Sequence, residues 1–316
     1  MYRRILRVVP VLIVFAVGLF STPLAAEECR PAEATEAQTF TLFVAGDVCP
    51  AYHIKNGHVY DPGFFTPAAQ TLIESHDMSI VNYETATHYD NPVARSKKFV
   101  FKASPDAPAG MNFLSAAATA NNHAFDYGVK GWEATDKALT RAGILHNGVF
   151  HKRAGYSPLR FHKAGWEIIL VTGTIWGSSL GEYTTLSPEG IVKELRKIAE
   201  GSAGVFTSPK RRIVVYIHGD EEYKKKTKRQ VDWSRRFAAA GADVVLWAHS
   251  HVYGPVEQEN STLVAYGLGN FLFGGNGKWR NRKGIEALSL EFSVSEKTKW
   301  KKVLFESRNY CIDLQN

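Results

Sequence analysis

Five apolar runs in the chain each end in side chains that can bind a metal ion or move a proton. Asp47 follows Phe-Val-Ala-Gly46, where a strand stops and a glycine permits a sharp turn, so it is either a turn former or a ligand. Asn82 and Glu84 lie two residues apart on one face of the extended run that begins at Met78. A buried glutamate without a partner is costly, and Glu84 therefore calls for a lysine, an arginine or a metal. Asn121-Asn122-His123 comes after the small-residue run Ser115 to Ala118, with Asp126 three positions further on. That segment is either a capped helix start, or an amide and an imidazole suited to metal binding and general acid work, with Asp126 holding the imidazole tautomer. His218 closes Ile213-Val-Val-Tyr-Ile, and His249-Ser250-His251 closes Val244-Val-Leu-Trp-Ala. One histidine behind a strand is ordinarily structural. His-x-His is harder to absorb, because strand alternation sets both imidazoles on one side about 7 Å apart, the separation of two ligands of one or two ions.

Taken together, the carboxylates, amide and imidazoles suit Mn, Fe, Zn or Mg, and the lack of clustered cysteine argues against copper or iron-sulfur chemistry. Two such divalent ions sharing a bridging carboxylate can hold a phosphate and activate a water.

The elements that must position these residues can be read from hydrophobic periodicity. Strands are expected at Phe40 to Ala45, Met78 to Tyr83, Ile168 to Val171, Ile213 to Ile217, Val244 to Trp247, Leu263 to Tyr266 and Ala287 to Val294. Helices are expected at Pro67 to Ser75, Asp106 to Ala117, Trp132 to Ala142, Gly190 to Glu200 and Arg229 to Ala240, with Gly143 and Gly241 as left-handed caps of two of them. Strand and helix alternate and then strands dominate, which indicates a layered α/β sandwich with polar loops gathered at one sheet edge.

Composition sets the outer limits. The 316 residues are 45% hydrophobic, 22% charged and 12% aromatic, the profile of a folded globular protein. A mean hydropathy of −0.20 excludes a polytopic membrane protein. The net charge of +7 is too mild to argue for nucleic acid, and no aromatic stacking platform accompanies it. Arg3, Arg4 and Arg7 precede an apolar run from Val8 to Phe20 and a small-residue segment, the layout of a secretory signal over residues 1–26 that is either cleaved or kept as an anchor. Residues 27–38 read as a linker and 39–316 as one domain. Three cysteines make no disulfide scaffold, although an exported chain can join Cys29 to Cys311.

At these residues the sequence resembles the CapA family of poly-γ-glutamate capsule biosynthesis proteins, a branch of the calcineurin-like metallophosphoesterase superfamily. The likeness runs from about Thr41 to Phe273 and includes Gly46-Asp47, Val81-Asn-Tyr-Glu84, Lys98-Phe-Val-Phe-Lys-Ala-Ser-Pro105, Ala120-Asn-Asn-His-Ala-Phe-Asp-Tyr-Gly128, His249-Ser-His-Val252 and Gly267-Leu-Gly-Asn-Phe271. It implies a four-layer αββα sandwich with the metals at one edge. It also implies that Asp47 and His251 bind one ion, that Asn122, His218 and His249 bind the other, and that Glu84 bridges. His123 is then the acid that protonates the leaving oxygen, oriented by Asp126, while Asn82, Glu222 and Asn270 are candidates for holding substrate. The implied reaction is metal-assisted hydrolysis of a phosphate ester, in the setting of synthesis or export of an anionic surface polymer. The expected partners are that polymer or a phosphoester, and a membrane-bound polymer synthase.

Two departures matter. The superfamily's Asp-x-His is Asp47-Val-Cys49 here, and the family's His-Trp-Gly-x-Glu-Tyr is His218-Gly-Asp-Glu-Glu-Tyr223. They motivate the alternative of a non-catalytic accessory that binds the polymer or the synthase through a degraded metal site. The run Lys224 to Arg229 is either a lure for a polyanion or a solvated loop leading into a helix.

Overall fold

The computed structural model describes residues 39–53, 63–87, 97–201, 209–274, 281–309 and 311–315. The leader, the linker and Cys29 lie outside them, as does Trp279.

Two sheets form the frame. The larger has eight strands, with Thr39–Cys49 at its middle. That strand pairs in parallel with Met78–Tyr83 and with Asn270–Phe273, and antiparallel with Asn281–Ser293. Beyond Met78–Tyr83 lies Ala116–Ala118, also parallel. The smaller sheet has six strands and is centred on Arg211–His218, which runs parallel to Trp166–Thr174 and to Val244–Ala248.

Alternation along the strands separates three apolar layers. Phe40, Leu42 and Val44 face Ile168, Leu170, Val214, Tyr216, Val244 and Leu246 between the sheets. The opposite faces carry Phe43, Ala45 and Val81, packed with helix residues Ala69, Ile73 and Leu139. On the other side, Ile169, Val215, Val245 and Trp247 pack with Ile191, Leu195, Ile198 and Phe237. Helices α1 (Pro67–Glu74) and α2 (Gly128–Arg141) thus cover one sheet, and α3 (Pro188–Glu200) and α4 (Lys228–Ala239) cover the other. The result is the expected four-layer αββα sandwich.

Local chemistry accounts for the helix ends. Thr66 and Ser187 accept from Ala69 N and Gly190 N ahead of Pro67 and Pro188, and Thr227 with Gln230 closes a reciprocal capping box. Gly143 and Gly241 have φ of +73° and +103°, in the left-handed range expected of them.

One expected helix is wrong. Asp106 to Ala117 divides into a 3-10 turn, Ala107–Met111, and the strand Ala116–Ala118. Pro108 and Gly110 undermine a helix, and the three alanines are small enough to lie buried in the parallel ladder against Ile80 to Asn82. The strands Lys299–Arg308 and Cys311–Leu314, which extend the large sheet, are not announced by the periodicity.

Candidate metal centre

The parallel strands of both sheets deliver their carboxyl ends to one edge, the position where open α/β sheets bind ligands. Asp47 lies near the end of the first strand, Glu84 just beyond Met78–Tyr83, and Asn121 to His123 beyond Ala116–Ala118. His218 ends its strand, and His249 follows Val244–Ala248.

These residues converge. His218 Nε2 lies 2.8 Å from Asn122 Oδ1, 3.2 Å from His249 Nδ1 and 3.7 Å from Glu84 Oε1. His251 Nδ1 lies 3.5 Å from Asp47 Oδ2. Potential donor atoms of Asp47, Glu84 and His218 fall within 4.8 Å of one another, as do those of Glu84, His249 and His251. Glu84 belongs to both trios, the place expected of a bridge. All six candidate ligands meet at this edge.

Glu84 tests whether an ion fits. Its carboxylate is fully buried, and no hydrogen-bond donor among the described residues reaches either oxygen. Burial, and then the neighbouring Asp47 carboxylate, raise its pKa well above the ordinary value. A buried carboxylate in that position needs a cation. The imidazoles are tuned to match: burial first, and then the neighbouring histidines, push His218 well down, and burial lowers His249 to about 4. Neutral imidazole is the metal-binding form. His251 differs, because hydrogen bonding and attraction to Asp47 outweigh its burial and raise its pKa.

The His-x-His spacing behaves differently from the strand estimate. The strand stops at Ala248, and His249 and His251 take φ of +92° and +57°. The backbone therefore turns, and the two rings close to 5.9 Å between centroids. His249 N donates to Asp47 Oδ2 at 3.3 Å, tying this turn to the first strand.

Two residues expected to hold substrate lie against candidate ligands. Asn82 is fully buried, donates through Nδ2 to Asp47 Oδ1 at 2.8 Å and lies 3.1 Å from His218 Nδ1. Asn270 Oδ1 accepts from His251 Nδ1 at 2.7 Å. Both amides leave little surface for a substrate and fix the orientation of a neighbour. Glu222 is exposed on the loop after His218, and its charge favours protonation of His249 and His251.

His123 is held on several sides. Its Nδ1 is 2.6 Å from Asp126 Oδ2, and its Nε2 faces Glu84 Oε1 at 3.8 Å. Three neighbours hold this pair, and of these Lys97 escapes a reading of the sequence. Phe101 stacks on the imidazole at 4.0 Å and donates its backbone N–H to Asp126 Oδ2 at 2.6 Å. Lys97 Nζ lies 2.5 Å from Asp126 Oδ1, donates to Asn122 O at 2.7 Å and approaches His123 Nδ1 at 3.3 Å. Asn121 Oδ1 accepts from His123 N while its Nδ2 donates to Tyr83 O. Lys97 flanks and Phe101 falls within the segment Lys98 to Pro105, but Lys97, Lys98 and Phe99 are all exposed and carry no alternation that marks them.

Cys49, in the place of the superfamily histidine, is a fully buried free thiol and joins neither donor trio. Burial, with nearby Glu84, Asp126 and Asp47, raises its pKa well above 9.0, so it remains a thiol. The expected pairing of Cys311 with Cys29 lies outside the described residues, as Cys29 does. The Lys224 to Arg229 run is largely answered by acids: Lys226 pairs with Glu257, Lys228 with Asp232 and Arg229 with Asp220. It is a loop leading into α4 with limited free charge.

Comparison with known proteins shows the family and the fold. Two curated relatives are similar: the Capsule biosynthesis protein CapA of Bacillus anthracis, 25% identical over 78% of this chain and 63% of that one, and the PGA biosynthesis protein CapA of Bacillus subtilis, 28% identical over 60% and 52%. The chain thus spans between half and two thirds of their length. Among solved structures, a hypothetical protein from Thermus thermophilus has a similar fold, with a TM-score of 0.50 at 12% identity over 85% of this chain and all of that one. A novel phosphatase from Mycoplasma pneumoniae aligns over 86% of this chain and 96% of its own, at 13% identity and a TM-score of 0.49. The family model for the bacterial capsule synthesis protein PGA_cap matches residues 41–275, a span that holds every residue of the metal-ligand set, and the chain belongs to that family.

Proposed function

We propose that the chain is a metal-dependent phosphoester hydrolase that works in the synthesis or export of an anionic surface polymer. The observation that carries this reading is the buried, unpartnered Glu84 carboxylate at the centre of a carboxylate, amide and imidazole set. Asp47, Glu84, Asn122, His218, His249 and His251 are suited to two divalent ions drawn from Mn, Fe, Zn or Mg. Once bound, such ions supply Lewis-acid polarisation of a phosphoryl oxygen and lower the pKa of water.

The remaining work falls to the chain itself. Asp126 accepts from His123 Nδ1 and so directs Nε2 toward the donor set, where it can hand a proton to the leaving oxygen. Burial lowers the His123 pKa and Asp126 offsets only part of that, so the imidazolium gives up its proton readily. Phe101 fixes the plane of the ring by stacking.

Membership of the capsule synthesis family and the capsule and poly-γ-glutamate names of the two Bacillus relatives support the polymer setting. The polymer or a phosphoester precursor is then the substrate, and a membrane-bound synthase the partner. The Arg3-to-Ala26 layout supports export to the periplasm or cell exterior. No helix among the described residues is long and apolar enough to cross a membrane.

The test is metal content and turnover on the purified full-length chain. After a manganese reload, mass spectrometry should find close to two ions per chain, reduced in His251→Ala, and a panel of phosphoesters should contain hydrolysed members. The protonated Cys49 favours one second reading, the non-catalytic accessory, since it removes a donor. A folded chain that holds no metal and hydrolyses nothing decides for the accessory.

A further inference from the structure

We infer that Trp176 and Tyr223 form a ring-binding subsite beside the metal-ligand set, so that the phosphoester accepted there carries a ring, a nucleobase or a pyranose, on its alcohol side. The inference rests on the hydrolase reading and adds the substrate class.

Both side chains are large, aromatic and open to water: Trp176 is 49% exposed and Tyr223 70% exposed. Each lies against a different histidine of the set. The Trp176 ring meets His249 edge-on at 5.0 Å and lies 6.4 Å from His218, while Tyr223 lies 6.2 Å from His251. A single exposed aromatic is unremarkable on a protein surface, but two of them on the rings of one donor set are not.

The backbone holds both in place at some conformational cost. Ile175 N donates to His218 O at 3.0 Å, which pins the turn carrying Trp176 to the strand end carrying His218. Gly219 makes room for that turn: its φ is +142°, and a Cβ there would come within 2.2 Å of Ile175 Cγ2. Tyr223 has φ of +62°, a left-handed conformation that a tyrosine adopts only when its surroundings impose it, and its N–H donates to Ser250 O at 2.8 Å, between the two histidines. Neither aromatic is a stray loop residue. Both are tethered to the backbone that presents the ligands.

An exposed aromatic face fixed next to a phosphoryl-binding centre recognises a flat or ring-shaped neighbour by stacking, with little dependence on hydrogen-bond pattern. A linear alkyl or peptidyl alcohol offers no such face. The cations that follow Tyr223, Lys224 and Lys225, are exposed and suit an additional anionic group on the same ligand.

The test uses the manganese-loaded full-length chain and three esters: a nucleoside monophosphate, a hexose phosphate and ring-free glycerol phosphate. The readout is the ratio of kcat/KM for each ring ester to that for glycerol phosphate. Trp176→Ala and Tyr223→Ala should each lower that ratio about tenfold, the effect of losing one stacking contact. Trp176→Phe should retain most of it. The nucleotide and hexose arms show which ring is taken. Quenching of tryptophan fluorescence by the same ring esters, present in the wild type and lost in Trp176→Phe, reads binding without turnover. Unchanged ratios in both alanine variants, with hydrolysis intact, overturn the subsite and leave the hydrolase standing. If the wild type hydrolyses none of the esters, the hydrolase reading fails. Quenching by ring esters alone then supports the subsite as a binding site, and no quenching overturns it.

Discussion

Glu84→Gln separates the demand of the fold from the demand of the ion. Glu84 keeps its proton more tightly in the folded chain than in the unfolded one, because burial and then Asp47 raise its pKa well above the ordinary 4.5. Between those two values the folded state binds the extra proton, so the stability of the metal-free protein falls as pH rises through that window. Glutamine preserves the shape and removes the charge. Leaving a buried charged group unsatisfied costs about 1–3 kcal/mol or more. The metal-free variant should therefore melt higher than the metal-free wild type at pH 7, by about 2–6 °C at roughly 2 °C per kcal/mol for a chain of this size. Manganese narrows this gap by about 2.5 °C or more. An ion at about 100 times its Kd adds about 2.7 kcal/mol, or about 5 °C, to the wild type, while the variant has lost its shared ligand and gains less than half of that. Thermal unfolding with chelator and with manganese, repeated from pH 5 to pH 8, reads both arms. If manganese raises both proteins equally, or the metal-free variant melts below the metal-free wild type, the chain itself compensates Glu84 and the argument for an ion fails.

His123→Ala should retain the metal content of the wild type and lose about 10² to 10⁴-fold in kcat, measured on whichever phosphoester the wild type hydrolyses best. Lys97→Met should lower kcat about tenfold with little change in KM, and Lys97→Arg should restore part of it, because the ammonium holds Asp126 and the Asn122 carbonyl through charged hydrogen bonds. Manganese affinity should rise with pH through and above 6.5, since a raised His251 pKa sets proton against ion there, and His251→Ala should flatten that profile in a calorimetric titration.

The strand ends are legible in the sequence because an Asp, Glu or His that interrupts an apolar run is costly to bury, and so marks the point where a strand meets solvent or a ligand. Met78 to Tyr83 matches its expected bounds to the residue, and the strands ending at His218 and Ala248 match to within a few. Which side chains gather around those ends is less legible. Asn82 and Asn270 resemble substrate contacts in the sequence, and the parallel register that places Asp47 beside both of them sets them against candidate ligands. Lys97 reaches the His123–Asp126 pair from a distant stretch of chain, and no local pattern encodes that approach. Ala116 to Ala118 has helical propensity but lies in a ladder, because tertiary pairing overrides propensity in a segment this short. The long antiparallel strands at the end of the chain carry exposed lysines through Lys299 to Lys302, which hides their alternation.

The same edge that gathers the donors also gathers the strain. Asp220, Tyr223, His249 and His251 are non-glycine residues with positive φ, and the last two carry imidazoles of the donor set. Asp47, Glu84 and Asp126 are carboxylates with no exposed surface, all within this edge. Left-handed backbone and buried like charge are each unfavourable, and both persist only where the surroundings over-determine them. Here the surroundings are two sheets with an apolar layer on each face, in which Phe40, Leu42, Val44, Tyr216 and Leu246 are fully or almost fully buried. The Tyr216 hydroxyl donates to Ala45 O at 2.8 Å and joins the two sheets just before the first strand reaches Asp47. A rigid double sheet can hold at its rim an arrangement that no loop would adopt alone. That arrangement, acidic at its centre and ringed by imidazoles, is complementary to a cation, so the cost that it carries without one would become affinity on binding.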